Sequence, residues 1–216
     1  MNAARPRILV TSFEPFGGSP VNPTMRIAEI LRTLAFAPGS LEFATLPVVT
    51  GVSQGSAWAR LAPALEALAP DAVVSLGESA KAERINIERV ALNLRDARIA
   101  DNAGTQLRDQ PVVDGAPDAR FATLPVRTLV DACVSAGVDA ELSLSAGTYL
   151  CNEIMFRTLD DAATRGLPRR SGFIHVPQLP EQSAARGGPS MPVESSAHGV
   201  HAALVRLATL LAESRA

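Results

Sequence analysis

Short apolar, β-branched runs alternate with longer amphipathic segments along almost all of the 216 residues, and this alternation restricts the fold more than any other feature. Arg7-Ile-Leu-Val-Thr-Ser12 reads as a strand, ended by the proline and paired glycines of Phe13-Glu-Pro-Phe-Gly-Gly18. Thr24 to Phe36 carries Met25, Ile27, Ala28, Ile30, Leu31 and Leu34 near helical spacing, with Asn22-Pro-Thr24 as a start signal. The same reading predicts strands at Leu41 to Val49, Asp71 to Gly77, Ala140 to Ser145 and Gly172 to Val176. It predicts helices over Ser53 to Leu68, Val126 to Ser135, Tyr149 to Arg165 and Glu194 to Glu213. Arg84 to Asp118 shows no regular pattern, and the Pro/Gly/Ser-rich stretch Pro177 to Pro192 reads as a mobile loop long enough to cover a substrate. Because each crossover helix must cover one face of a sheet, the pattern predicts a three-layer α/β/α sandwich with a mostly parallel, twisted sheet. Ligands of such folds bind outside the carboxyl ends of the strands. With no repeat and no linker in 216 residues, one domain spanning 1–216 is expected.

Charge narrows the function classes. Twenty Lys plus Arg against 22 Asp plus Glu leave a formal charge of −2, so the basic footprint that nucleic acid requires is missing. The short polar stretch Met1 to Arg7 precedes no apolar leader core, and no apolar run approaches about 18 residues. No membrane partner is expected, and a cytoplasmic location is. Two cysteines, Cys133 and Cys151, are too few for a disulfide framework or a four-thiolate zinc site. A reactive thiol is the remaining special use for one of them.

Cys151 follows Leu142-Ser-Leu-Ser-Ala-Gly-Thr148, a strand ending in small residues, and opens a helix containing Ile154, Met155 and Leu159. A helix N-terminus favours thiolate over thiol; a buried, inert cysteine is the alternative. Cys133 lies mid-helix with Leu129 and Val130 and reads as packing. His175, in Gly172-Phe-Ile-His-Val-Pro177, sits where an apolar strand reaches its carboxyl end, as a base or as a core residue. His198 and His201 are three apart on a helix with no third ligand near, and read as a solvated face. Glu88, in Ile85-Asn-Ile-Glu-Arg-Val-Ala-Leu-Asn93, could orient an imidazole as the third member of a triad, or form a salt bridge with Arg84 or Arg89. The residues alone reach a cysteine hydrolase.

Taken together, several blocks resemble the pyroglutamyl peptidase I family, also called pyrrolidone carboxyl peptidases. They are Ile8-Leu-Val-Thr-Ser-Phe-Glu-Pro-Phe-Gly-Gly18 with Asn22-Pro-Thr24, Glu88-Arg-Val-Ala-Leu-Asn93, Asp96-Ala-Arg-Ile-Ala-Asp-Asn-Ala-Gly104, Ser145-Ala-Gly-Thr-Tyr-Leu-Cys-Asn152, Phe173-Ile-His-Val-Pro177 and Leu179-Pro-Glu-Gln182. They are collinear and run from residue 8 to about 192. The resemblance implies a cysteine peptidase that removes N-terminal pyroglutamate, with Cys151 as nucleophile, His175 as base and then acid, and Glu88 orienting His175. It implies Arg98 as an oxyanion donor beside the Cys151 backbone N–H, against a structural ion pair of Arg98 with Asp96 or Asp101. Phe13 and Phe16 match the pair that flanks the pyrrolidone ring, and Tyr149 stands where phenylalanine is usual. Neither a metal nor an organic cofactor is implied. The partner is a peptide with an N-terminal pyroglutamate, and association into a homodimer or homotetramer follows from what members of the family commonly form.

Two positions in the segment from Gly77 to Asn93 depart from the pattern. Glu78 follows Gly77 where the family usually has a glutamine that contributes to recognition of the pyroglutamyl group, and Asn86 stands where Ser or Thr is usual. A carboxylate accepts from a lactam N–H but cannot donate to its C=O. Glu78 therefore opens a rival reading, a cysteine aminopeptidase or amidase of the same fold that pairs Glu78 with a free N-terminal ammonium. A non-catalytic relative that binds peptide ends is a third, opposed by the joint presence of Cys151, His175, Glu88 and Arg98.

Overall fold

The computed structural model describes residues 5–215. The first apolar run forms strand β1 (Arg7–Phe13), buried at every position after Arg7. Asn22 caps helix α1 (Pro23–Thr33) by accepting from the Thr24 backbone N–H, and Pro23 occupies the first turn, where a missing N–H costs nothing. Then come β2 (Ser40–Leu46), α2 (Ala57–Leu68), β3 (Ala72–Ser79), β4 (Ile85–Glu88), β5 (Val90–Leu92) and β6 (Ala119–Phe121). The rest is α3 (Val126–Ser135), β7 (Ala140–Ser143), α4 (Leu150–Thr164), β8 (Arg170–Pro177), α5 (Pro180–Arg186) and α6 (Val193–Glu213).

Three segments differ from the sequence reading. Helix α2 begins at Ala57 instead of Ser53, because the Ser56 side chain accepts from the Ala59 N–H and stops the helix from extending backward. The stretch from Arg84 holds β4 and β5, four and three residues long, too short to display a period. The expected mobile loop after Pro177 instead contains α5 and is tied down by its own amides. Gln182 accepts from the Leu179 N–H at 2.8 Å, and Gln178 donates to the Gly187 and Pro189 carbonyls at 2.7 and 3.0 Å.

Six strands form the central sheet in the order β2-β1-β3-β8-β4-β7, and β5 pairs with β6 separately. Every pairing in the main sheet is parallel except β4 with β8. Helix α6 packs with α1 and α3, and α2 with α4, so two helical layers enclose the sheet as the alternation predicts. The core lies between them, built on Ile8, Leu9, Val73, Leu76, Ile87, Phe173 and Ile174, all with no exposed surface. Each such side chain is worth about 1.5–3 kcal/mol of transfer free energy. Parallel alignment brings the carboxyl ends of β1, β3 and β8 to one edge. In register, Gly77 of β3 neighbours His175 of β8, which in turn faces Asn86 of β4.

Helix α6 packs tightly at Gly199, where an added Cβ would lie 2.6 Å from Ile85 Cδ1 of β4 and 2.9 Å from Val138 Cγ1. Alanine gains about 1 kcal/mol of helix propensity over glycine, but overpacking costs about 1–3 kcal/mol. Gly199→Ala is therefore expected to lower the denaturation midpoint in urea with the slope unchanged. A raised midpoint would show that the interface has room for a methyl group.

Candidate active site

Cys151 is the second residue of α4, so its backbone N–H belongs to the first turn and has no helical carbonyl to meet. Its side chain lies directly on β3. A Cβ added at Gly77 would come within 2.9 Å of Cys151 Sγ and 2.6 Å of the Phe173 ring. Glycine is required there by close approach, and that approach puts the thiol beside His175, the register neighbour of Gly77.

The His175 imidazole is held from below. His175 Nδ1 lies 2.7 Å from Glu88 Oε1, and the two residues are 8% and 1% exposed. The pair is diagonal across the antiparallel strands, since Asn86 is directly opposite His175 and Glu88 is two residues further on the same face. Burial lowers the affinity of His175 for its proton, but the charge and hydrogen bond of Cys151 and those of Glu88 outweigh it, and its pKa is pushed up to about 10. Neither alternative partner holds Glu88. Arg84 pairs with Glu83 and Glu141, and the Arg89 guanidinium lies 5.2 Å from the centre of the Phe121 ring.

A cleft of about 540 Å³ opens over these residues, and Phe16, Glu78, Asn86, Arg98, Tyr149 and Arg186 help to line it. Arg98 is exposed and makes no ion pair among the described residues. Asp96 lies 3.4 Å from Arg108, and the Asp101 carboxylate is taken by the N–H groups of Thr50, Ala103 and Thr105 at 2.8–2.9 Å. The structural ion pair weighed against a site role for Arg98 is not formed. Phe13, buried at the end of β1, lines a narrower recess with Phe16, Asn22, Val48, Glu78, Tyr149 and Cys151. The Phe16 and Tyr149 ring centroids are 6.3 Å apart. The Tyr149 hydroxyl donates to the Ala100 carbonyl at 3.2 Å, and its pKa is pushed up to about 12 by burial and by the charges of Asp101 and Cys151. Tyr149 thus anchors the segment that carries Arg98.

Glu78 lines both spaces, but its oxygens are already engaged. Oε1 accepts from Arg186 Nη2 and Oε2 accepts from Gln182 Nε2 at 3.0 Å. Sequence reasoning missed both partners. Gln182 lay in a recognised block without a role, and no local signal marks Arg186, 108 positions from Glu78.

The remaining candidates lie outside this cleft. Cys133 has no exposed surface, its thiol donates to the Gly199 carbonyl at 3.3 Å, and burial pushes its pKa up to about 11. The His201 ring meets the Phe36 ring edge-on. No three His, Cys, Asp or Glu side chains among the described residues converge as a metal site. A second cavity of about 530 Å³, at the opposite edge of the sheet, contains neither thiol nor imidazole, and its Arg165 and Arg169 are paired with Asp161. No helix among the described residues is long and apolar enough to cross a membrane.

Comparison with known proteins gives this arrangement a context. The family model described as pyroglutamyl peptidase matches residues 6–209. The pyrrolidone-carboxylate peptidase of Pyrococcus furiosus is 42% identical over 203 residues, covering 92% of this chain and 96% of that protein. That of Gloeobacter violaceus is 43% identical over 199 residues, covering 92% and 95%. The crystal structure of pyroglutamyl peptidase I from Bacillus amyloliquefaciens superposes with a TM-score of 0.89 at 32% identity, covering 94% of this chain and 97% of that one. Pyrrolidone carboxyl peptidase from Thermococcus litoralis gives 0.88 at 37% identity, covering 97% and 96%. A match that spans nearly the whole length, in sequence and in fold, leaves one assignment: the chain belongs to the pyroglutamyl peptidase family of cysteine peptidases.

Proposed function

We propose that this chain, as a single catalytic domain over 1–216, hydrolyses the amide bond after an N-terminal pyroglutamyl residue, with Cys151, His175 and Glu88 as its triad. The observation that carries the reading is the row in which buried Glu88 holds His175 at 2.7 Å and Gly77 lets the Cys151 thiol lie beside the imidazole. The two cysteines remain unpaired, which suits a reducing, cytoplasmic compartment.

The chemistry follows from the geometry. With Nδ1 committed to Glu88, the imidazolium turns Nε2 toward the thiolate. The thiolate attacks the pyroglutamyl carbonyl, and the oxyanion meets the free Cys151 N–H and the unpaired Arg98. Such a donor is typically worth about 3 kcal/mol of barrier. His175 gives its proton to the departing amine as the C–N bond breaks, leaving a thioester. Water then loses a proton to His175 and attacks the thioester, which releases pyroglutamate and restores the ion pair. The lactam ring is uncharged, so Phe13, Phe16 and Tyr149 can bury it, while Glu78 accepts from its N–H.

Cys151→Ala is expected to abolish hydrolysis of a pyroglutamyl coumarin amide, and Cys133→Ala to retain most of it. Iodoacetamide should alkylate Cys151 first, read by peptide mass spectrometry, and EDTA should leave the rate unchanged. A folded Cys133 variant without activity beside an active Cys151 variant would reverse the nucleophile assignment.

The raised pKa of His175 sets the pH dependence. Its ordinary value is 6.5 and its folded value about 10, so folding favours the imidazolium. The resulting stability is fully present below pH 6.5 and is lost as pH rises through about 10. Activity should fall over the same alkaline range, because the leaving amine then lacks its acid. Glu88→Gln removes a charge that favours the imidazolium. It is expected to move the alkaline limb of kcat/KM to lower pH and to cut kcat by roughly 10²-fold or more. An alkaline limb that does not move would show that Glu88 acts on the fold and not on His175.

A further inference from the structure

The pocket proposed for an uncharged lactam contains a carboxylate. Glu78 sits one residue past Gly77 on β3, and its side chain is 2% exposed. Alone, such a group bears the desolvation cost of a buried charge and offers a ready counter-ion to any ammonium that enters. It is not alone. Arg186 Nη2 donates to one oxygen and Gln182 Nε2 to the other, both from α5.

The guanidinium is itself aimed. Arg186 Nε donates to Gln178 Oε1 at 2.6 Å, and the Gln178 amide group is fixed by its bonds to the Gly187 and Pro189 carbonyls. Gln182 is fixed in turn by accepting from the Leu179 N–H. Arg186 also lines the cleft beside Glu78, Cys151 and His175. Of the other cations of the cleft, the His175 imidazolium is held by Glu88, and Lys81 and Arg98 are exposed, so solvent and salt screen them from a buried carboxylate.

We propose that Arg186 is a specificity-determining residue: by neutralising Glu78 it keeps the pocket selective for an N-terminal lactam over a free N-terminal ammonium. The inference rests on the pyroglutamyl peptidase reading. Its physical content is a competition. A lactam N–H shares Glu78 with Arg186 at no cost in charge, whereas an ammonium must either displace the guanidinium or bring a second positive charge against it. Without Arg186, the buried carboxylate gains most from the ligand that carries the missing charge.

Pyroglutamyl and prolyl amides of 7-amino-4-methylcoumarin test this, since both present a five-membered ring and differ in the lactam carbonyl and the charged nitrogen. The readout is the ratio of kcat/KM for the two substrates, in wild type, Arg186→Gln and the double variant Glu78→Gln/Arg186→Gln, each checked for folding by circular dichroism. The ratio is expected to fall about tenfold or more in Arg186→Gln, with a gain on the prolyl amide, and to recover in the double variant, where no charge is left unpaired. Loss of stability alone would lower both activities and leave the ratio in place. A folded Arg186→Gln whose ratio matches wild type overturns the inference. If Arg186→Gln fails to fold, the double variant decides: a wild-type ratio supports charge compensation, and a fallen one overturns it. A wild type without activity on the pyroglutamyl amide would overturn the functional reading itself, an outcome separate from a change of ratio.

Discussion

The register of three strands, β3, β8 and β4, sets the geometry on which everything else in the cleft depends. It lines up Gly77, His175 and Asn86 in one row across the sheet. The missing side chain at Gly77 gives the Cys151 thiol its place on β3. The antiparallel insertion of β4 lets Glu88 lie one step deeper than His175, on the same face. Exposure rises along that line, from Glu88 at 1% through His175 at 8% to the half-buried Cys151. A carboxylate beneath an imidazole and a thiol toward the cleft is the order that the proposed triad requires.

The helix that carries the thiol is fixed by a second buried acid. Glu153, two residues after Cys151, pairs with Arg157 at 2.9 Å and accepts from the Gly51 N–H at 3.0 Å and from the Thr50 hydroxyl. Arg157 continues to the Val112 carbonyl at 2.8 Å. Removing one partner from a buried pair of this kind typically costs about 3–5 kcal/mol, so the network holds the start of α4 against two loops. The α4 start is tied to the Arg98 segment as well. Asp96 donates its N–H to the Thr148 carbonyl at 3.0 Å, Thr148 Oγ1 donates to the Asp96 carbonyl at 2.9 Å, and Tyr149 reaches Ala100. The two proposed oxyanion donors, the Cys151 N–H and Arg98, are positioned by one connected set of bonds.

On the other side of the cleft, α5 does comparable work for the wall that carries Phe16 and Glu78. Gln182 donates to Ser19 Oγ at 2.9 Å and to the Val21 carbonyl at 3.2 Å, in the loop that carries Phe16, while also holding Glu78. One side chain therefore joins the end of β3, the loop after β1 and α5. The segment is rich in proline and glycine, but its amides satisfy one another, which is why it is ordered where composition alone suggests mobility.

The sequence by itself determined the layers, the parallel character of the sheet, the position of Cys151 at a helix start and that of His175 near a strand end. These depend on residue spacing within one element, and the hydrophobic period reports that directly. The collinear motif blocks extended the reading to a family and a triad. Which partner Glu88 takes, whether Arg98 is tied up by Asp96 or Asp101, which way β4 runs and what neutralises Glu78 were decided only by the tertiary structure. Local sequence made Arg84 and Arg89 as plausible for Glu88 as His175, and nothing near Glu78 pointed to Arg186. The partners lie 87 and 108 positions apart. Contacts at that separation are selected by strand order and register, which arise from the packing of the whole sheet and leave no periodic mark in the chain.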